Sequence, residues 1–308
     1  DLPSVLLSLA TILPVIYGLK ELAQDGVQVA PVVAIVAGLL VGAAFVRRQG
    51  RLADPLLDLR LFGSPVFSAA LVTTTFGYFA ILGAFFLFAQ YVQLVLGLSP
   101  LEAGLWSVPA MVGLTAGSML APVLLRKVPV VATTVGGLIV ATVGFWLLTR
   151  AEGGSALAVL VVASALYSAG LAPVFIAVTD LMVGAAPESG AGAVASISET
   201  SNEFGGALGI AVLGSVTTLV YRQHIDVPDG ASEGARDTLG GATAAAADLP
   251  PGAAAQLLGS AREAFSNGLH TAGWVAAAIT VGLVALALVS FRKDGSTDAD
   301  RDLATAKE

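Results

Sequence analysis

Long runs of apolar residues, separated by short polar stretches that carry arginine, glycine or proline, make up most of this chain. A membrane-spanning helix needs roughly 20 mostly apolar residues. On that measure the pattern predicts about eight spans, over 2–19, 29–46, 66–96, 103–125, 128–149, 156–183, 196–221 and 269–291. Hydrocarbon contains no water to satisfy peptide groups, so each run is expected to be helical. A buried core helix of a soluble protein explains one such run, but not a succession of them. The predicted fold class is therefore an all-α integral membrane protein.

The polar stretches predict orientation and layout. Arg47, Arg48, Arg51 and Arg60 lie between the second and third spans, Arg126 and Lys127 between the fourth and fifth, and Arg292 and Lys293 after the last. Short loops rich in lysine and arginine stay in the cytoplasm, so these clusters predict a multi-pass protein of the cell membrane with both ends of the chain cytoplasmic. The opposite short loops carry only Lys20 and Arg150. The basic stretch 47–62, with Asp54-Pro55, divides the chain. Residues 1–61 are expected to form a two-helix linker and loop, and 62–293 a six-helix bundle. A polar tail over 294–308 is expected to be disordered. One outer loop, 222–267, is long. Its alanine runs and scattered charge (Asp237, Arg262, Glu263) suggest two short helices outside the bilayer, broken apart at Leu249-Pro250-Pro251-Gly252. A solvated loop is the alternative.

Composition narrows the function classes. The chain has 308 residues, 56% hydrophobic and 12% charged, with a net charge of −7. That balance is not the basic signature of a nucleic-acid-binding protein. Cysteine is absent and there are two histidines, His224 and His270, which excludes disulfides, thiolate metal sites and a histidine-based metal cluster. No HExxH, GxSxG or GxxxxGK[ST] motif occurs, so no enzyme activity and no cofactor are expected. The chain opens on Asp1 and enters an apolar run almost at once, with no signal-peptide pattern before it. The expectation is a truncated or split product with something missing upstream.

Small residues mark helix contacts. Gly113-x-x-x-Gly117 and Gly205-x-x-x-Gly209 let helix backbones approach closely. Pro109, Pro122 and Pro173 are expected to kink their helices.

Several local patterns together resemble one family. Pro55-Leu56-Leu57-Asp58-Leu59 precedes the third span. Tyr91-Val92-Gln93 is followed by Gly97-Leu98-Ser99-Pro100-Leu101-Glu102-Ala103-Gly104 and then Pro109. Glu199-Thr200-Ser201-Asn202-Glu203-Phe204-Gly205-Gly206-Ala207-Leu208-Gly209 opens the seventh span, and Ala264-Phe265 precedes the last. In order and spacing these resemble the fourteen-helix drug:proton antiporters of the major facilitator superfamily, the EmrB/QacA-like branch, over family helices seven to fourteen. The resemblance implies proton-coupled efflux of amphipathic or cationic small molecules, with the lipid bilayer, protons and a missing N-terminal six-helix half as partners. The family's Gly-rich loop between its second and third helices and its antiporter motif in the fifth have no counterpart here, because both belong to that missing half. A non-transporting scaffold, or a half-transporter needing a partner chain, is the alternative.

Proton-coupled export needs an ionisable group facing a cavity within the membrane, and intramembrane ionisable residues are functional candidates by default. Glu199 and Glu203 share one helix face at i, i+4 spacing, and the resemblance points to the same helix start. The competing reading is capping, since Ser196-x-x-Glu199 and Thr200-x-x-Glu203 both match a capping box. Asp180, near the cytoplasmic end of the sixth span, is the third proton-coupling candidate, with an interfacial structural role as its alternative. Glu102, after Ser99-Pro100, reads as a cap. Aromatic rings can hold flat cations, so Phe76, Tyr78 and Phe79 are substrate-cavity candidates, beside the polar Gln90 and Gln93. Lipid contact and packing are the alternatives for the rings, and hydrogen bonding across helices for the glutamines. Tyr91 reads as an interfacial anchor, and His270 as an interfacial histidine.

Overall fold

In the absence of water every peptide group in the hydrocarbon must bond within its own segment, and the chain obeys this with helices alone. A computed structural model describes residues 2–25, 29–52, 59–185 and 191–291. Within these, every regular element is helical. The long helices are α1 (Leu2–Asp25), α2 (Val29–Gln49), α3 (Pro65–Gln90), α4 (Pro100–Lys127), α5 (Val130–Leu148), α6 (Ala156–Gly184) and α7 (Ala191–His224). Two short helices follow, α8 (Gly234–Asp237) and α9 (Leu239–Ala246), and then a long final helix, α10 (Pro251–Ser290). Seven of these helices are long and apolar enough to cross a membrane. In α1 the apolar stretch is shorter, Pro3–Gly18, because Lys20, Glu21 and Asp25 follow it. The chain is an all-α, multi-pass membrane protein. Asp54-Pro55, residues Pro55 to Asp58 of the proline-leucine motif, Arg292, Lys293 and the tail from 294 lie outside the described residues.

Starts and stops follow from local chemistry. Ser64 caps α3, its side chain accepting the Phe67 N–H, with Pro65 at the first helical position. Ser99 and Glu102 form a complete capping box at α4, as their sequence predicts. At its far end α3 widens into one π-helical turn, Tyr91–Val95, and Gly97, with φ of 71°, completes the reversal into α4. Pro109, Pro122 and Pro173 lie inside helices, as does Pro14.

The last helix departs from expectation. Both predicted short helices, α8 and α9, fall before Leu249-Pro250-Pro251-Gly252, and no third element follows. Instead Pro251 starts a 40-residue helix. Proline breaks a helix that precedes it but is well suited to the first turn of the next one. Buried Leu257, Ala261, Ala264, Phe265, Gly268 and Leu269 then continue one packed face into the span.

Glycine sets the packing. A side chain on Gly205 or Gly209 would strike the carbonyl oxygens of Thr75 and Phe79, so α7 lies directly against α3. Gly113 and Gly117 place α4 against the carbonyls of Ala165 and Ala169 on α6. Gly137 and Gly144 place α5 on the opposite flank of α6. These contacts give two slabs, α3–α7–α10 and α4–α6–α5, joined by α3 against α6 and α10 against α5. Thr142 and Thr280 share a hydrogen bond of 2.9 Å across the second joint. The hairpin α1–α2 stands beside the bundle. It is closed at one end by Arg48 and Gln49, both donating to Ser4 Oγ, and meets the bundle chiefly through α7.

The α3–α7 contact leaves no room for a side chain. Gly209→Val is expected to cost about 1–3 kcal/mol through overpacking, lowering the melting temperature of the detergent-purified protein. Gly259→Ala, where a Cβ meets open space, is expected to leave it unchanged.

Candidate functional site

The carboxylates Glu199 and Glu203 do not cap α7. The helix begins at Ala191, so at 1.5 Å per residue Glu199 lies about 12 Å and Glu203 about 18 Å along it. The hydroxyls that would complete the capping boxes bond backward within the helix, Ser196 to the Gly192 carbonyl and Thr200 to the Ser196 carbonyl. Gly205, two residues beyond Glu203, is level with Thr75 of α3, which is itself about 15 Å from the start of that helix.

Neither carboxylate packs into the bundle, and both are exposed on α7. They line an open cavity of about 390 Å³ with Thr200, Phe204 and Ala207, closed on the far side by Ile12 and Ile16 of α1. A second cavity of about 550 Å³ continues along the same helix face. Ile16, Phe204 and Ala207 belong to both, so the two form one groove. Its second part is mostly apolar, with Phe86, Leu87 and Gln90 of α3, Gly214 and Thr218 of α7, and Phe265 of α10. Thr238, the cap of α9, borders that part too. The α8–α9 segment is held there by Tyr221, whose hydroxyl lies 2.9 Å from the Ala235 carbonyl and 3.1 Å from that of Thr238. An Arg222–Asp237 ion pair of 3.2 Å supports it.

The other sequence candidates separate clearly. Tyr78 stacks on Phe175 at 4.5 Å between ring centres and lines neither cavity. Gln90 lines the groove. Phe79 does not, because it is buried where α3 meets Gly209. Phe76 is partly exposed beside Phe79, and Gln93 turns back to the Ala89 carbonyl; neither borders the groove. Asp180 is exposed near the end of α6, away from both cavities. Tyr91 is not an interfacial anchor: it is buried, its ring against Phe265 and its hydroxyl 3.5 Å from Ser266 Oγ. His270 has its Nε2 3.1 Å from the Ala151 carbonyl.

Sequence reasoning missed Ile12, Ile16, Phe204 and Phe265. One signal was available. Glu199, Glu203, Ala207, Ala211, Gly214 and Thr218 recur at steps of three and four, a stripe of charged, small and polar residues along one face of an otherwise apolar helix.

Comparison with known proteins identifies relatives of the chain. No protein-family model matches the chain. The multidrug efflux pump LfrA of Mycolicibacterium smegmatis is 36% identical over 298 residues, covering 95% of this chain and 59% of LfrA. The methyl viologen resistance protein SmvA of Salmonella typhimurium is 30% identical over 81% of this chain and 52% of its own length. The tetracenomycin C resistance and export protein of Streptomyces glaucescens is 29% identical over 86% and 51% respectively. The chain belongs to the drug-efflux transporters of the major facilitator superfamily. It spans about half the length of the relatives it matches. Those relatives are transporters, and the chain is not an enzyme.

Because cysteine is absent, single introduced thiols report the groove directly. Thr200→Cys and Ala207→Cys are expected to react with a small water-soluble thiol reagent in native membranes. Ile197→Cys and Leu213→Cys, whose side chains are buried on other faces of α7, are expected to stay unlabelled.

Proposed function

We propose that this chain is the C-terminal part of a proton-coupled exporter of amphipathic or cationic small molecules, and that the α7 groove is its cargo site. The supporting observation is the groove itself, in which two carboxylates well inside a spanning helix open onto a larger apolar chamber. A lipophilic cation carries the matching chemistry. Its charge is satisfied by Glu199 and Glu203, its apolar body by Phe204, Phe86 and Phe265. Two relatives are named for resistance to tetracenomycin C and to methyl viologen, which agrees with efflux as the direction of transport.

Proton coupling follows from competition. Glu199 and Glu203 lie one turn apart on one face of α7, and a carboxylate left charged and unpaired in a membrane carries a cost. A proton or a cation relieves that cost, and each excludes the other. Asp180, the third proton-coupling candidate, is exposed near the end of α6 and lies outside the groove.

The basic ends of α2 and α4 support a cytoplasmic position for their side of the bundle under the positive-inside rule, in the cell membrane and with both chain ends cytoplasmic. Residues 1–61 then act as the linker and 62–293 as the transporting bundle. The second wall of the pathway comes from an N-terminal six-helix half, in the same gene product or a separate chain. The half-length match to the relatives favours this arrangement over a free-standing scaffold.

The test is export by the complete transporter in inverted vesicles under an imposed pH gradient. Glu199→Gln with Glu203→Gln is expected to lower the rate by about tenfold or more, since hydrogen bonds and ion contacts to a charged group contribute about 1.5–3 kcal/mol. Undiminished gradient-driven export would remove both residues from the mechanism.

A further inference from the structure

Among the described residues the hairpin α1–α2 makes most of its contacts with itself and meets the bundle chiefly at α7, with Ile12 and Ile16 beside Glu199 and Glu203. Its own packing is close. A side chain on Gly38 would lie 2.7 Å from Val15 and 2.8 Å from the Thr11 carbonyl, and one on Gly18 2.6 Å from the Pro31 carbonyl. Arg48 and Gln49 tie the far end of α2 to Ser4 at the start of α1. These contacts make the hairpin one body and determine which face of α1 turns to α7. That face carries Ile12 and Ile16.

Ile16 is the residue of α1 common to both parts of the groove. Opposite it stand Phe204 and Ala207, the two α7 residues that are also common to both. These three residues frame the junction of the two parts, termed the waist. On one side lie Glu199 and Glu203, on the other the apolar chamber that reaches Phe86 and Phe265. Without α1 the carboxylate side would open sideways, and an exposed carboxylate in hydrocarbon costs a few kcal/mol. With α1 in place the opening is closed by branched aliphatic side chains, which offer a cation's apolar substituents contact and its charge nothing.

We propose that the α1–α2 hairpin is a wall of the cargo groove and that Ile16 sets its specificity, by controlling how bulky a lipophilic cation can be when it spans the waist between the carboxylates and the apolar chamber. This rests on the efflux reading of the groove above. It assigns a cargo-contacting role to a helix outside the six-helix bundle, in a segment expected from sequence to be a linker.

Binding of two probe cations to the purified, complete transporter tests it. Tetraphenylphosphonium is bulky in every direction, whereas ethidium is flat. Ile16→Trp narrows the waist and Ile16→Ala widens it. The ratio of the two dissociation constants is expected to differ by about tenfold or more between these variants, the scale on which an apolar pocket discriminates bulk. The flat cation should be favoured by tryptophan and the bulky one by alanine. An unchanged ratio, with wild-type binding intact, overturns the role of Ile16 but leaves the efflux reading standing. Failure of the wild-type protein to bind either cation, or binding unaffected by Glu199→Gln with Glu203→Gln, overturns the efflux reading, and this inference with it. A second experiment does not depend on tolerance of tryptophan. Ile16→Cys with Ala207→Cys, the only thiols in the chain, are expected to be bridged by a short bifunctional thiol reagent in native membranes, and bridging is expected to abolish binding of both cations. Absence of a bridge, or full binding by the bridged protein, overturns the placement of α1 as a wall.

Discussion

A charged carboxylate in the hydrocarbon of a bilayer needs something other than lipid in front of it. If the proposed cargo site lies in the bilayer, Glu199 and Glu203 carry that requirement. They lie too far along α7 to reach the helix start, and the hydroxyls beside them are committed to backbone carbonyls one turn back. The bundle does not bury them either, because the opposite face of α7 is the one pressed against α3. What remains is a groove, and α1 closes its side. On the proposed reading, α1, the polar stripe along α7 and the apolar chamber together keep two carboxylates away from lipid while leaving them accessible to cargo.

The groove keeps its shape because the contact behind it is rigid. Gly205 and Gly209 bring the α7 backbone against the carbonyls of Thr75 and Phe79, so the helix bearing the carboxylates cannot rotate without separating from α3. Further along, Gly268 meets Thr217 in the same way and joins α10 to α7. Tyr221 then ties the C-terminal end of α7 to the α8–α9 segment through two backbone carbonyls. Backbone contact through glycine suits a membrane interior, where burying apolar side chains gives little driving force and close approach gives most of the attraction.

Existence of the helices was legible in the sequence because the bilayer writes it there: a run long and apolar enough to span has few alternatives. The two glycine motifs were legible for the same reason, since close approach admits no larger residue. The start of α10 was not, because Pro250-Pro251 reads as a break from one side and as a helix start from the other. Phe79 and Gln93 mark a deeper limit. In a soluble helix polarity distinguishes the buried face, but α3 is apolar all round, and lipid, packing and cavity then select the same residues. Only where a face departs from that uniformity, as in the stripe from Glu199 to Thr218, did the sequence point to a surface lining a cavity. Even there it could not show what stands opposite, and Ile12 and Ile16 are ordinary residues of an ordinary apolar run.

At the centre of the account is the claim that proton and cargo compete for the Glu199–Glu203 pair. The most direct measurement is proton release on binding, using the purified complete transporter in weakly buffered detergent solution with a pH-sensitive dye and saturating tetraphenylphosphonium. Competition predicts that protons leave the protein as the cation binds, and that the release disappears when both glutamates are replaced by glutamine. Tight binding of the cation with no proton released from the unaltered protein would contradict it.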